Sequence, residues 1–176
     1  PLNTGSSLGE GTKAPLTVLV LEDEPDIRDL ITTSSLIGAA DANIIEAENG
    51  DKAFEELQKM LFAPHLVFLD LHFSGKKSAF DVAQYIRNMP GGKDTRIIIA
   101  TGTPDKLTED LTAIADDIHG KPFPLNAITS AVKETDRRIK GLSLGHKKKN
   151  LSAFSQTRGP KELEAAAKVI LQVLDE

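Results

Sequence analysis

The sequence contains no cysteine. Disulfides, thiolate metal sites and cysteine nucleophiles are therefore excluded together. No apolar run approaches the ~18 residues needed to cross a bilayer, so no membrane span is expected. The N-terminus lacks a basic segment followed by an apolar stretch, and no secretory signal is visible. Glycine-rich phosphate cradles are also missing. Neither Gly-x-Gly-x-x-Gly nor Gly-x-x-x-x-Gly-Lys-Ser/Thr follows the first apolar run, which leaves dinucleotide and nucleoside triphosphate binding without support. Basic residues are not in excess: the net charge is -5, which argues against a general nucleic-acid binder. A cytoplasmic location fits these absences.

What is present describes one globular domain with length to spare. The 176 residues are 40% hydrophobic and 27% charged, enough to bury a sizeable core. Residues 1–15 carry Gly5, Ser6, Ser7, Gly9 and Gly11 and few apolar groups, the composition of a flexible leader. The chain starts on Pro1, so either an initiator methionine has been removed or the chain is a fragment.

From Leu16 the pattern alternates between short apolar runs and amphipathic segments. Leu16–Leu21, Ala42–Ala47, His65–Asp70, Arg96–Ala100 and a weak Asp117–His119 are predicted strands. Helices are predicted between them. The first starts at Pro25, where a missing N–H costs nothing, and closes at Gly38. The second follows Asn49-Gly50 with Ala53, Phe54, Leu57 and Met60-Leu61 on its apolar side. The third carries Phe80, Val82, Ala83, Ile86 and Met89 and stops at Pro90-Gly91-Gly92. A fourth spans about Asp105 to Ala115, and a fifth, with Leu125, Ile128, Ala131 and Val132 inward, ends near Arg138. Strands alternating with helices imply right-handed βαβ units and a mostly parallel sheet.

That topology gives the polar residues their meaning. Leu66-Val67-Phe68-Leu69 reads as a strand buried on both faces, and it ends on Asp70. Glu22 and Asp23 follow the first strand, Thr101 the fourth and Lys121 the fifth. Parallel strands bring all of these to one edge, where open α/β sheets bind ligands. Singly, each has a plain structural reading: an acidic helix start at Glu22-Asp23-Glu24, a turn acid at Asp70, an N-cap at Thr101, a solvated lysine at Lys121. Together they form a site. Three acids repel one another unless a cation sits between them, and hard oxygen donors without His or Cys point to Mg²⁺, with Mn²⁺ as a substitute. Lys121 and Thr101 add a positive charge and a hydroxyl donor suited to a phosphoryl group, with Asp70 as nucleophile.

The motifs Val-Leu-Val-Leu-Glu22-Asp23-Glu24-Pro25, Leu-Val-Phe-Leu-Asp70, Ile-Ile-Ala-Thr101-Gly102 and Lys121-Pro122-Phe123, in this order and spacing, resemble a response-regulator receiver domain. The resemblance implies a flavodoxin-like, doubly wound five-stranded parallel sheet of order 2-1-3-4-5. It implies that Asp70 accepts a phosphoryl group from a sensor histidine kinase or phosphotransfer protein. Glu22, Asp23 and Asp70 would hold Mg²⁺ with the backbone carbonyl of His72, whose ring reads as structural or solvated. Thr101 and Lys121 would bind the phosphoryl oxygens, and the Lys121–Pro122 peptide would be cis. Activity would be limited to self-phosphotransfer and autodephosphorylation, the output being a protein–protein switch toward an unknown partner.

Departures from the family pattern leave room for other readings. Ile118 stands where receivers carry a Tyr or Phe, so the aromatic switch is missing. Ser74 replaces the usual proline after the acceptor, and the following loop is one residue longer. Glu22 as first acid is harmless. The alternatives are a pseudo-receiver working without phosphorylation and, from another class, a Mg²⁺-dependent aspartyl-phosphate phosphatase of the haloacid dehalogenase type. The latter wants a second Asp where His72 stands.

By this reading the receiver spans residues 16–139, a linker with solvated Lys147-Lys148-Lys149 spans 140–159, and an amphipathic helix spans 160–176. That lone helix, with Leu163, Ala166, Ile170 and Leu174 at helical spacing, must dock in cis, pair as a homodimer or continue into a further domain.

Overall fold

A computed structural model describes residues 15–157, with side chains for residues 15–141. Apart from Pro15, the expected leader lies outside the described residues, as does the amphipathic helix of residues 160–176 with any dimer it would form.

Residues Pro15–Arg138 form one compact unit. Five strands, β1 (Thr17–Leu21), β2 (Asn43–Ala47), β3 (Leu66–Asp70), β4 (Arg96–Thr101) and β5 (Asp117–Gly120), make one sheet of order β2-β1-β3-β4-β5. All four pairings are parallel. The register sets Leu21 beside Leu69 and Asp70 beside Ala100, so the ends of β1, β3 and β4 are level. β1 and β3 are neighbours although β2 lies between them in sequence. Their connections leave in opposite directions, and the crevice beyond their ends is where this topology opens a site.

Every residue of β3 is buried, as expected of a central strand in a sheet covered on both faces. Alternation along the strands divides the core. Leu19, Leu21, Val67, Leu69, Ile97 and Ile99 face a cluster with Ala53 and Leu57 of α2 (Gly50–Gln58), Val82 and Ile86 of α3 (Ala79–Asn88), and Leu111 of α4 (Glu109–Ile114). The intervening residues face α1 (Pro25–Gly38) and the start of α5 (Leu125–Thr157), with the Phe68 and Phe123 rings 5.8 Å apart. At Gly38 an added Cβ would lie 2.7 Å from Val132 Cβ, so only glycine lets α1 and α5 come this close. Each fully buried aliphatic or aromatic side chain contributes about 1.5–3 kcal/mol.

Caps explain most of the helix boundaries. Pro25 opens α1, the Asn49 side chain accepts from Lys52 N–H at the start of α2, and Ser78 with Asp81 forms a capping box on α3. Three boundaries differ from the sequence reading. First, α2 ends at Gln58, so Leu61 projects, 84% exposed, instead of extending the apolar side. Second, the fourth helix is broken into a 3₁₀ turn at Pro104–Lys106 and a short α4, because Thr108 caps the helix with a bond from Leu111 N–H. Third, α5 does not stop near Arg138. Its backbone stays helical through Thr157, across most of the expected linker. No proline interrupts 139–157, and its two glycines cost only about 1 kcal/mol each.

Candidate functional site

At the carboxyl edge of the sheet, β1 delivers Glu22 and Asp23 and β3 delivers Asp70. Oxygens of the three carboxylates lie within 4.8 Å of one another. Glu22 is buried because its N–H continues the β1–β2 ladder to Ala47 O, 3.1 Å away, which turns its side chain under the start of α1. Arg28, one turn into α1, clamps this corner by donating to Glu22 O at 2.7 Å. Asp23 is exposed at the rim. Asp70 is 4% exposed, with Oδ1 accepting from Leu71 N–H at 2.7 Å.

One lysine answers these acids. Lys121 Nζ lies 3.0 Å from Asp70 Oδ2, 3.0 Å from Glu22 Oε1 and 2.8 Å from Glu22 Oε2. Only Oε1 of Glu22 lies in hydrogen-bonding geometry; Oε2 is buried with no hydrogen-bond partner among the described residues. Burial holds the Glu22 carboxyl above its ordinary range; the Lys121 hydrogen bond opposes this and the Asp70 charge adds to it. Burial alone would lower the Lys121 ammonium, but its bonds to Glu22 and Asp70 outweigh it and raise the group above its usual range. Lys121 is aimed by its backbone: its N–H donates to Thr101 O at 2.9 Å, and the following peptide to Pro122 is cis. Phe123 anchors the turn, its ring centroid 4.8 Å from that of His119.

Three carboxylates facing one ammonium leave negative charge in excess in a largely buried pocket. With a buried Glu22 oxygen that is ion-paired but not hydrogen-bonded among the described residues, and only carboxylate oxygens in the cluster, the set fits a hard divalent cation.

Thr101 ends β4 on the same edge, 1% exposed. Its Oγ1 accepts from Thr103 N–H at 3.0 Å, so the hydroxyl is held by its own loop and not by the acids. His72 sits just past Asp70, and its Nε2 hydrogen-bonds to the Thr103 hydroxyl. From the sequence, His72 takes a role through its carbonyl with its ring structural or solvated, and Thr103 takes no role. The two lie on different loops, 31 residues apart, and no local pattern announces such a bridge. Ile118 lies on the edge strand β5, 37% exposed. Thus Glu22, Asp23, Asp70 and Lys121 converge, Thr101 ends β4 on the same edge, and Ile118 lies within the edge strand β5.

Comparison with known proteins agrees with this fold. A family model described as the response regulator receiver domain matches residues 18–133. The sensory transduction protein LytR of Staphylococcus epidermidis is 31% identical over 121 residues, covering 69% of this chain and 46% of that protein. The sensory transduction protein LytT of Bacillus subtilis is 29% identical over 119 residues, covering 68% of this chain and 47% of that protein. The chain thus spans about half the length of the curated relatives it matches. Among solved structures, the response regulator protein TrrA of Thermotoga maritima, in complex with Mg²⁺-BeF, is 29% identical with a TM-score of 0.55, covering 68% of this chain and 97% of that one. The signal receiver domain of a DNA-binding response regulator from Colwellia psychrerythraea is 25% identical with a TM-score of 0.56, covering 68% and 96%. With the sheet order and the acid–lysine edge in place, these matches make the chain a member of the response regulator receiver domain family of two-component signalling.

Proposed function

We propose that Asp70 is the phosphoacceptor of a two-component system or phosphorelay, and that this receiver acts as a phosphorylation-controlled protein–protein switch in the cytoplasm. The donor is a phosphohistidine on a sensor kinase or phosphotransfer protein. A carboxylate oxygen of Asp70 attacks phosphorus; the O–P bond forms as the P–N bond breaks, and the electron pair stays on the imidazole nitrogen, the ring leaving neutral because its other nitrogen carries a proton. Lys121, which bridges Glu22 and Asp70 at rest, then pairs with the phosphoryl oxygens, while Thr101 trades its bond from Thr103 for one to the phosphoryl group. Water later cleaves the acyl phosphate to inorganic phosphate and free Asp70. Mg²⁺, or Mn²⁺ in its place, held by Glu22, Asp23, Asp70 and the His72 carbonyl, would neutralise charge on the transferring group.

The observation that carries this reading is Asp70, 4% exposed, held 3.0 Å from Lys121 beside two further acids. The test is incubation with acetyl phosphate and Mg²⁺, followed by intact mass. One acid-stable, base-labile phosphoryl adduct is expected, absent in Asp70→Ala. One observation favours a second reading. Ile118 offers no ring to turn inward, as in a pseudo-receiver that engages partners without phosphorylation; an unreactive Asp70 would select it. The phosphatase alternative has no support, since the position it needs as Asp is His72, whose ring is bonded to Thr103.

A further inference from the structure

The loop between β3 and α3 carries His72 and lacks the proline that the family pattern puts at Ser74, yet it is tied down residue by residue. Gly75 adopts φ 121°, and a Cβ there would fall 2.7 Å from Asp51 Oδ2. That same oxygen accepts the Lys76 N–H at 2.8 Å. Gly50 receives the next turn: a Cβ on it would lie 2.1 Å from Lys77 O and 2.9 Å from Phe73 Cε2. Lys77 Nζ then lies 4.7 Å from the centroid of the Phe54 ring on α2. Residues 73–77 thus rest on the first turns of α2, and Ser78 starts α3 with its own capping box.

We infer that Asp51 is a positioning residue for the cation site, holding in place the loop that follows Asp70. The inference rests on the proposed reading of Glu22, Asp23 and Asp70 as a cation site. Asp51 is not one of that cluster; it acts through the loop. Its single bond to Lys76 N–H supplies the rigidity that a proline would otherwise supply, by limiting the conformations open to the unoccupied loop. Asp51 is exposed in the first turn of a helix, so its replacement leaves the core intact.

The test uses the whole chain, with Mn²⁺ titrated and free ion followed by electron paramagnetic resonance, beside amide exchange of residues 73–78 and thermal melting. Asp51→Ala is expected to weaken Mn²⁺ binding roughly fivefold and to speed amide exchange in the loop. The melting temperature should change little. Asp51→Asn keeps an oxygen acceptor and is expected to restore both loop protection and affinity. Unchanged affinity in Asp51→Ala would overturn the inference. So would equal weakening in Asp51→Asn, because a loss of distant charge and not of the loop bond would then be responsible. Wild-type protein that takes up no Mn²⁺ would overturn the cation-site reading itself, a failure distinct from either of these.

Discussion

The two ends of the sheet handle charge in opposite ways. At the amino edge, three acids are each hydrogen-bonded to one of two guanidinium groups. Arg96 reaches Asp117 at 2.7 Å and Glu134 at 2.7 Å. Arg87 holds Asp116 at 2.8 Å and also donates to Gly92 O, Thr95 O and Ile114 O. Asp116 in turn accepts the Ile97 N–H at 2.7 Å. These groups knit α3, α4, β4 and β5 together, and each of the acids accepts a hydrogen bond from a guanidinium. At the carboxyl edge, Glu22 and Asp70 share the ammonium of Lys121 with Asp23 close beside them, and one buried Glu22 oxygen lacks a hydrogen bond among the described residues. A matched edge stabilises. An unmatched one costs stability and persists where something else must enter, which is why chemistry is assigned to the carboxyl end.

The comparison can be broken first at Lys121. Lys121→Ala would leave two buried carboxylates facing each other without compensation, at a cost of about 3 kcal/mol, partly relieved as Glu22 takes up a proton. Urea denaturation near neutral pH measures it, and a loss below about 1 kcal/mol would mean the acids are better solvated than their burial implies. Arg87→Ala comes next. It removes the donors to three carbonyls and to Asp116, and is expected to cost about 2 kcal/mol and to speed amide exchange at the end of α4. Phosphoryl uptake at the far edge should survive it.

The smallest effect separates the edges by sign. Folding raises the Glu22 carboxyl above its ordinary 4.5, through burial first. From pH 4.5 up to the folded value the native state holds more protons than the unfolded chain, so this contribution to stability is lost as pH rises. At the amino edge, His65 Nδ1 accepts the Thr17 N–H at 3.0 Å. Burial, then the Arg138 charge, lowers its imidazole below the ordinary 6.5. Between the lowered value and pH 6.5 the unfolded chain holds more protons, so this contribution is lost as pH falls. Denaturation across pH 4.5–7 should therefore show the slope becoming more positive in Glu22→Gln and less positive in His65→Asn. The same sign of change in both variants would contradict the assignment.

Much of the carboxyl edge was legible because its residues follow apolar runs. Strand identity came from the density of Val, Leu and Ile, and parallel pairing then placed Glu22, Asp70, Thr101 and Lys121 together without knowledge of any contact. What stayed hidden depends on contacts between loops distant in sequence. The bond from Asp51 to Lys76 spans 25 residues and that from His72 to Thr103 spans 31, and neither leaves a periodic trace. Helix ends failed for a different reason. Apolar residues at Met60-Leu61 and Leu107 suggested continuation, yet the chain leaves α2 after Gln58 and re-caps at Thr108. Beyond Arg138 the reverse happened: a charged stretch read as a linker kept helical backbone to Thr157, because charge alone does not stop a helix.

The central claim is that the unmatched edge exists to phosphorylate Asp70. Its most direct test is to treat the Mg²⁺–acetyl phosphate product with borohydride, which reduces an aspartyl phosphate to homoserine, and to sequence the peptide spanning β3 by mass. Homoserine is expected at position 70 and at no other acid. Unreduced Asp70 beside a modified Glu22 or Asp23, or no modified residue at all, would contradict it.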